Sequence, residues 1–171
     1  MISFSQPTLK LANRIRQHLS LQGIIPLTQS ERVFVTNQTP LNLLYSASVI
    51  APQSFGLVFI DAPRATTRST ANLLTINNDE IVCSKSFSLS DHDYRFHLAA
   101  NILATAKLSK LCVDEDGVVI VTANTGMSAI VRCAFEIVFG YDGLVGELIY
   151  QTRSGGGNDS RHMSIDHETL M

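Results

Sequence analysis

The stretch from Ser90 to Tyr150 constrains the fold most, because two apolar helical patterns and a β-rich segment with an acidic centre follow one another almost without spacer. Ser90 and Asp93 fit a capping box, in which a hydroxyl and a carboxylate each bind a backbone N–H left over at a helix start. Beyond them Phe96, Ala99, Leu103 and Ala106 form one stripe, widened by Leu98 and Ile102, so a helix ending at Lys107 to Lys110 is expected to lie on a sheet. Leu111 to Val113 and Val118 to Val121 then read as two arms of a hairpin. Asp114, Glu115, Asp116 and Gly117 make its turn, with glycine supplying a positive φ. After Asn124 to Gly126 a last helix, Met127 to Phe139, carries Ile130, Val131, Ala134, Phe135, Ile137 and Val138 over more than half its circumference, and needs cover from the sheet or a second subunit. Gly140, Gly143 and Gly146 would each cost about 1 kcal/mol inside a helix, so a break between Gly140 and Gly143 is expected.

Upstream, Thr8 can cap a helix whose stripe is Leu11, Ile15 and Leu19, with Leu9 and Ala12 beside it, until Gly23 and Pro26 stop it. Arg14 and Arg16 fall toward its wet side. Three β-rich runs follow, Arg32 to Thr36, Leu41 to Ile50 and Phe55 to Ile60, separated by turn-forming residues, and read as an antiparallel meander. Ala62 to Asn78 reads as a loop followed by a strand. Asn77 to Glu80 then turns into a further strand, Ile81 to Leu89, apolar on one side only. From Arg153 onward the glycines, serines and asparagine show no periodicity. The expected organisation is one α+β domain over residues 1–152, an antiparallel sheet flanked by N-terminal, middle and C-terminal helices, with a flexible tail over 153–171.

Composition narrows the function classes. A net charge of -2 and only 16% charged residues give no field that would draw the chain to nucleic acid or an anionic membrane, and leave apolar groups to face outward. Cys83, Cys112 and Cys133 are odd in number, widely spaced and set in apolar runs, which fits reduced core thiols in a cytoplasmic protein. Met1 to Leu9 lacks the pattern of a signal peptide, and no run reaches the ~18 apolar residues a membrane crossing needs.

The candidate chemical groups are few. Asp91, His92, Asp93 and His97 cluster at a helix start, but the two histidines stand ~140° apart on a helix, unlike a zinc-sharing pair four residues apart. Acidic residues favouring the helix dipole explain the cluster. The Asp114 to Gly117 run lacks the later ligands of a calcium loop, and Gly155 to Gly157 lack the Lys and Ser or Thr of a phosphate cradle. Arg64 and Arg68, among Thr66, Thr67, Ser69 and Thr70, offer forked donors to an anion in a loop that is otherwise simply solvated. No catalytic, metal or cofactor residue is expected.

From Ile81 to Tyr150 the order of elements, the helix with Ala99, Ala100 and Asn101, and the segment VDEDGVVIV resemble YbjN-type bacterial proteins, which look like the type III secretion chaperone fold. The helix after Thr8 fits the same pattern, whereas Ala62 to Asn78 looks like an insertion and the glycines after Phe139 interrupt a helix that the family would continue. The resemblance implies a non-catalytic, commonly dimeric domain holding an extended client segment on apolar patches. Two expectations follow. The first is a bacterial cytoplasmic binding module, chaperone or adaptor in type and homodimeric, with Arg14 and Arg16 on the first helix and Val33, Phe34 and Val35 on an edge strand as partner-binding residues. The alternative is a small enzyme or ligand-binding protein whose pocket between sheet and helices draws on Arg64, Arg68, Cys112 or His92.

Overall fold

The computed structural model describes residues 4–22, 40–62, 68–69, 73–77, 80–84, 87–88, 92–151 and 167–171. Helix α1 spans Gln6–Gln22 and buries the stripe Leu11, Ala12, Ile15 and Leu19. Its cap is Ser5, not Thr8. The Ser5 hydroxyl lies 3.4 Å from the Thr8 amide that donates to it, and the two hydroxyls are 2.9 Å apart.

Pro40–Ile50 is a helix, α2, which corrects the expected strand over Leu41 to Ile50. Proline fits the first helical position, where its missing N–H has no partner to lose and its φ is already helical. Helical winding brings Leu41, Leu44 and Tyr45 to one side facing the core, with Ala47 beside them. The expected meander is absent accordingly, and its first run, Arg32 to Thr36, lies outside the described residues.

The third run is a strand, β1, Phe55–Asp61. Short antiparallel pairs follow: β2, Arg68–Ser69, with β5, Phe87–Ser88, and β3, Leu73–Asn77, with β4, Glu80–Ser84; the middle of the expected turn, residues 78–79, lies outside the described residues. The single strand expected over Ile81 to Leu89 is therefore two pieces. Helix α3, His92–Cys112, is the centre of the molecule, touched by α1, α2 and the last helix. Every residue from Leu98 to Ala104 is buried. Its buried polar side chains bond back along the helix: Asn101 Nδ2 donates to the His97 carbonyl (2.8 Å), and Ser109 Oγ to the Thr105 carbonyl (2.8 Å). These bonds remove the penalty of burying them.

No hairpin forms after α3. Val113–Asn124 is one strand, β6, lying parallel to β1, so the expected all-antiparallel sheet is a mixed one. Leu111 and Cys112 are helical and supply no first arm. Phe55 pairs with Val113 and Leu57 with Val118, so residues 114–117 loop out opposite Gly56 alone. Gly117 serves there by its size rather than by a positive φ. A Cβ would meet Asp114 Oδ1 at 2.6 Å and the Phe55 carbonyl oxygen at 2.8 Å.

Helix α4, Thr125–Phe139, packs on α3 and β6 and buries Met127, Val131, Cys133 and Ala134. It ends at Gly140, whose φ of 90° and ψ of 159° suit glycine, so the expected break is present. A 3₁₀ turn, Tyr141–Gly143, leads to β7, Leu148–Gln151. His167–Leu170 then forms β8, inside the stretch expected to be a flexible tail. The sheet order is β1-β6-β8-β7, so β8 is an interior strand. Val58, Ile60, Val119 and Val121 point to the helices, and alternation turns Leu57, Phe59 and Val118 to the other face, where all three are exposed.

Candidate functional site

The strands around β6 differ in length, and this builds the site. On one side β6 is paired with β1 as far as Thr122. On the other, β8 pairs only with Thr122 to Asn124, and the ladder closes where Val121 and Met171 exchange N–H···O bonds of 2.8 and 2.9 Å. Backbone groups alternate in direction along a strand. The Thr122 carbonyl accepts from Ala62 on the β1 side (3.0 Å), so Ile120 and Val118 also turn to β1, while Val121 and Val119 turn to β8. Among the described residues no strand pairs with Val119 on that side.

Alongside this part of β6, α4 and the segment after it enclose a cavity of about 450 Å³. Val119, Val131, Phe135, Phe139, Leu148 and Met171 give it an apolar lining. The Phe135 and Phe139 rings stack 5.9 Å apart, and the Lys110 ammonium sits 5.6 Å from the Phe139 centroid while donating to the Val138 carbonyl (2.7 Å). A cation there also suits the negative end of α4. Arg132 fixes the outer wall, with Nε 2.8 Å from Glu136 and Nη1 3.2 Å from Glu147, which ties α4 to the segment entering β7. The bond to Glu136 is the largest cause holding the Arg132 guanidinium above its ordinary pKa. Apolar side chains stand at the mouth: Val145 is 94% exposed, and Leu148 is more exposed than not.

Among the described residues the ionisable side chains in the lining are Arg132, Glu136 and Glu147, which neutralise one another in part, and no Ser, Thr, Cys or His lines it. Such a surface is suited to binding apolar groups.

The residues expected to bind a partner lie elsewhere or outside the described part. Arg14 and Arg16 are half-buried on α1, which contributes nothing to the cavity. Lys107 donates to Asn13 (2.9 Å) and links α3 to α1; burial, and then the charge of Arg16, lowers its pKa. Val33, Phe34 and Val35 lie outside the described residues, as do Arg64 and Asp91. Arg68 falls in β2, Cys83 in β4, and His92 and Asp93 in the first turn of α3. The His97 ring lies edge-on to Phe96 at 5.2 Å. Cys112 is 1% exposed, with Sγ 3.4 Å from the Leu44 carbonyl, and burial pushes its thiol up to about 11. Cys133 is also buried and its pKa is raised, chiefly by burial. Neither thiol lines the cavity. Among the described residues no group of three or more His, Cys, Asp or Glu is placed to hold a metal ion, and no helix is long and apolar enough to cross a membrane.

Sequence reasoning missed Val119, Phe135 and Phe139 as site residues. The two phenylalanines stand four apart on one helix, and the glycines at 140, 143 and 146 mark the irregular wall beside them, but both signals also fit an ordinary core helix and a loop. Compared with known protein families and with curated proteins, the chain matches none.

Proposed function

We propose that this chain is a non-catalytic protein-binding module, chaperone or adaptor in type, which holds an extended segment of a client protein in the groove between β6 and α4. The observation that carries the reading is that groove: a cavity whose described lining is predominantly apolar, with no Ser, Thr, Cys or His among those described residues. The resemblance of Ile81 to Tyr150 to YbjN-type, type III secretion chaperone-like proteins supports the same reading, together with a bacterial cytoplasmic setting. A homodimer belongs to the proposal. The sheet face turned away from the helices exposes Leu57, Phe59 and Val118, a contiguous apolar surface of the kind that partners cover.

The test is binding of a permanently unfolded polypeptide, carboxymethylated α-lactalbumin, followed by fluorescence anisotropy. Binding is expected, with loss of about tenfold or more in Phe135→Asp, which puts a charge in the apolar lining. Absence of polypeptide binding, combined with stabilisation by members of a small-molecule library, would instead favour a ligand pocket; the cavity volume lies within the range of such sites.

A further inference from the structure

We infer that residues 140–147 are a strap that closes over an uncharged apolar group bound in the cavity, with Val145 as the side chain that covers it. This rests on the reading of the groove as a client site and names how that site is completed.

The strap is fixed at its two ends and held weakly between them. At one end it leaves α4 through Gly140, where a φ of 90° breaks the helix. At the other, Glu147 Oε2 lies 3.2 Å from Arg132 Nη1 on α4, and the next residue, Leu148, enters the ladder with β8. Between these points the backbone bonds are local and long: the Gly143 N–H donates to the Gly140 carbonyl at 3.2 Å, and the Leu144 N–H to the Tyr141 carbonyl at 3.4 Å. Among the described residues no backbone bond ties Val145 or Gly146 to the rest of the fold. A segment with so few ties belongs to the low end of local stability. It nevertheless passes close to the site, since a Cβ at Gly143 would stand 3.1 Å from the Cβ of Phe139.

Val145 sets the direction of the movement. It borders the cavity, yet it is 94% exposed, the most exposed large apolar side chain among the described residues. Leaving that surface in water is unfavourable, and it is recovered only against another apolar surface. The nearest such surface is the far lining, Val119, Phe135 and Phe139, and the cavity lies between. A bound apolar group bridges the gap, with the stacked rings of Phe135 and Phe139 on its inner side and Val145 on its outer side. The closed strap thus makes a contact that the open one lacks, and this difference in affinity is what shifts the strap on binding. The Arg132–Glu147 pair keeps the far end of the strap over α4 during the movement; being partly exposed, it is weakened by salt.

The probe is N-phenyl-1-naphthylamine, an uncharged apolar fluorophore, added to the full chain. Bound probe is expected to slow amide exchange at Leu144, Val145 and Gly146 at least tenfold. Val145→Ser should release the probe about fivefold faster in stopped-flow measurements with association unchanged. Since Val145 is exposed in the free protein, this variant should keep the parent Tm. Glu147→Gln should also speed release, and about 1 M salt should bring the parent to the same rate. A fixed wall predicts that loss of so exposed a side chain changes nothing. Probe binding with unchanged release from Val145→Ser and no slowing at 144–146 would overturn the strap and leave the client-site reading standing. Strong protection of these amides in the probe-free protein would mean that the strap is already closed, and would also overturn the inference. Probe binding that survives Phe135→Asp, or no binding to the parent, would count against the groove and the strap alike.

Discussion

Replacing Leu103 by alanine tests whether α3 is the buried axle of the molecule. Leu103 is 0% exposed and sits among Ala100, Ala104 and Ala106, also fully buried, which let neighbouring helices approach closely but have no side chain able to swing into a void. The substitution removes three carbon groups, a transfer loss of about 2.4 kcal/mol at ~0.8 kcal/mol each. A cavity that cannot collapse raises this to roughly 3–4 kcal/mol. For a chain of this size each kcal/mol lowers Tm by about 2–4 °C, so a fall of around 10 °C is expected. Urea unfolding should show a lower midpoint with an unchanged slope. Leu57→Ala, at a position 57% exposed, is the matched control and should lie within about 0.5 kcal/mol of the parent when measured as a monomer. A Leu103→Ala loss below about 1 kcal/mol, or equal to that of the control, would refute the placement of α3.

Gly117→Ala drives a Cβ against the Phe55 carbonyl within a paired strand and should cost about 1–3 kcal/mol by chemical denaturation, whereas Gly56→Ala, with nothing within 4 Å, should be close to neutral. Gly140→Ala forces a side chain into a φ of 90° and should cost about 1–3 kcal/mol in the same assay. The raised pKa of Cys112 leaves on the order of one thiol in a thousand ionised at pH 8. A disulfide reagent should accordingly label Cys112 and Cys133 in urea but leave both unreacted in the native protein. Light scattering should give twice the 18.7 kDa chain mass, and Phe59→Glu, which charges the open sheet face, should return the chain mass.

Much of the helical framework was legible because a 3.6-residue period is a local property. The stripes of α1, α3 and α4 needed only their own residues to be seen, and the break at Gly140 followed from the conformational freedom of glycine. Leu41 to Ile50 misled because β-rich composition outweighed Pro40, the residue that pointed to a helix start. The acidic run 114–117 misled in another way. Its local chemistry is that of a hairpin turn, but pairing of both its flanks with β1, far away in sequence, decides its shape. Strand β8 has no alternating pattern of its own and exists through partners on both sides. The groove follows from these long-range pairings and from the packing of α4 beside β6. No local spacing could announce it.

The central claim is that client binds at the β6–α4 groove. Its most direct test is photo-crosslinking of carboxymethylated α-lactalbumin to protein carrying benzoylphenylalanine either at Leu148, on the groove, or at Lys10, on the exposed side of α1. A cross-linked product from position 148 and none from position 10 is predicted; equal yields, or a product from position 10 alone, would contradict the account.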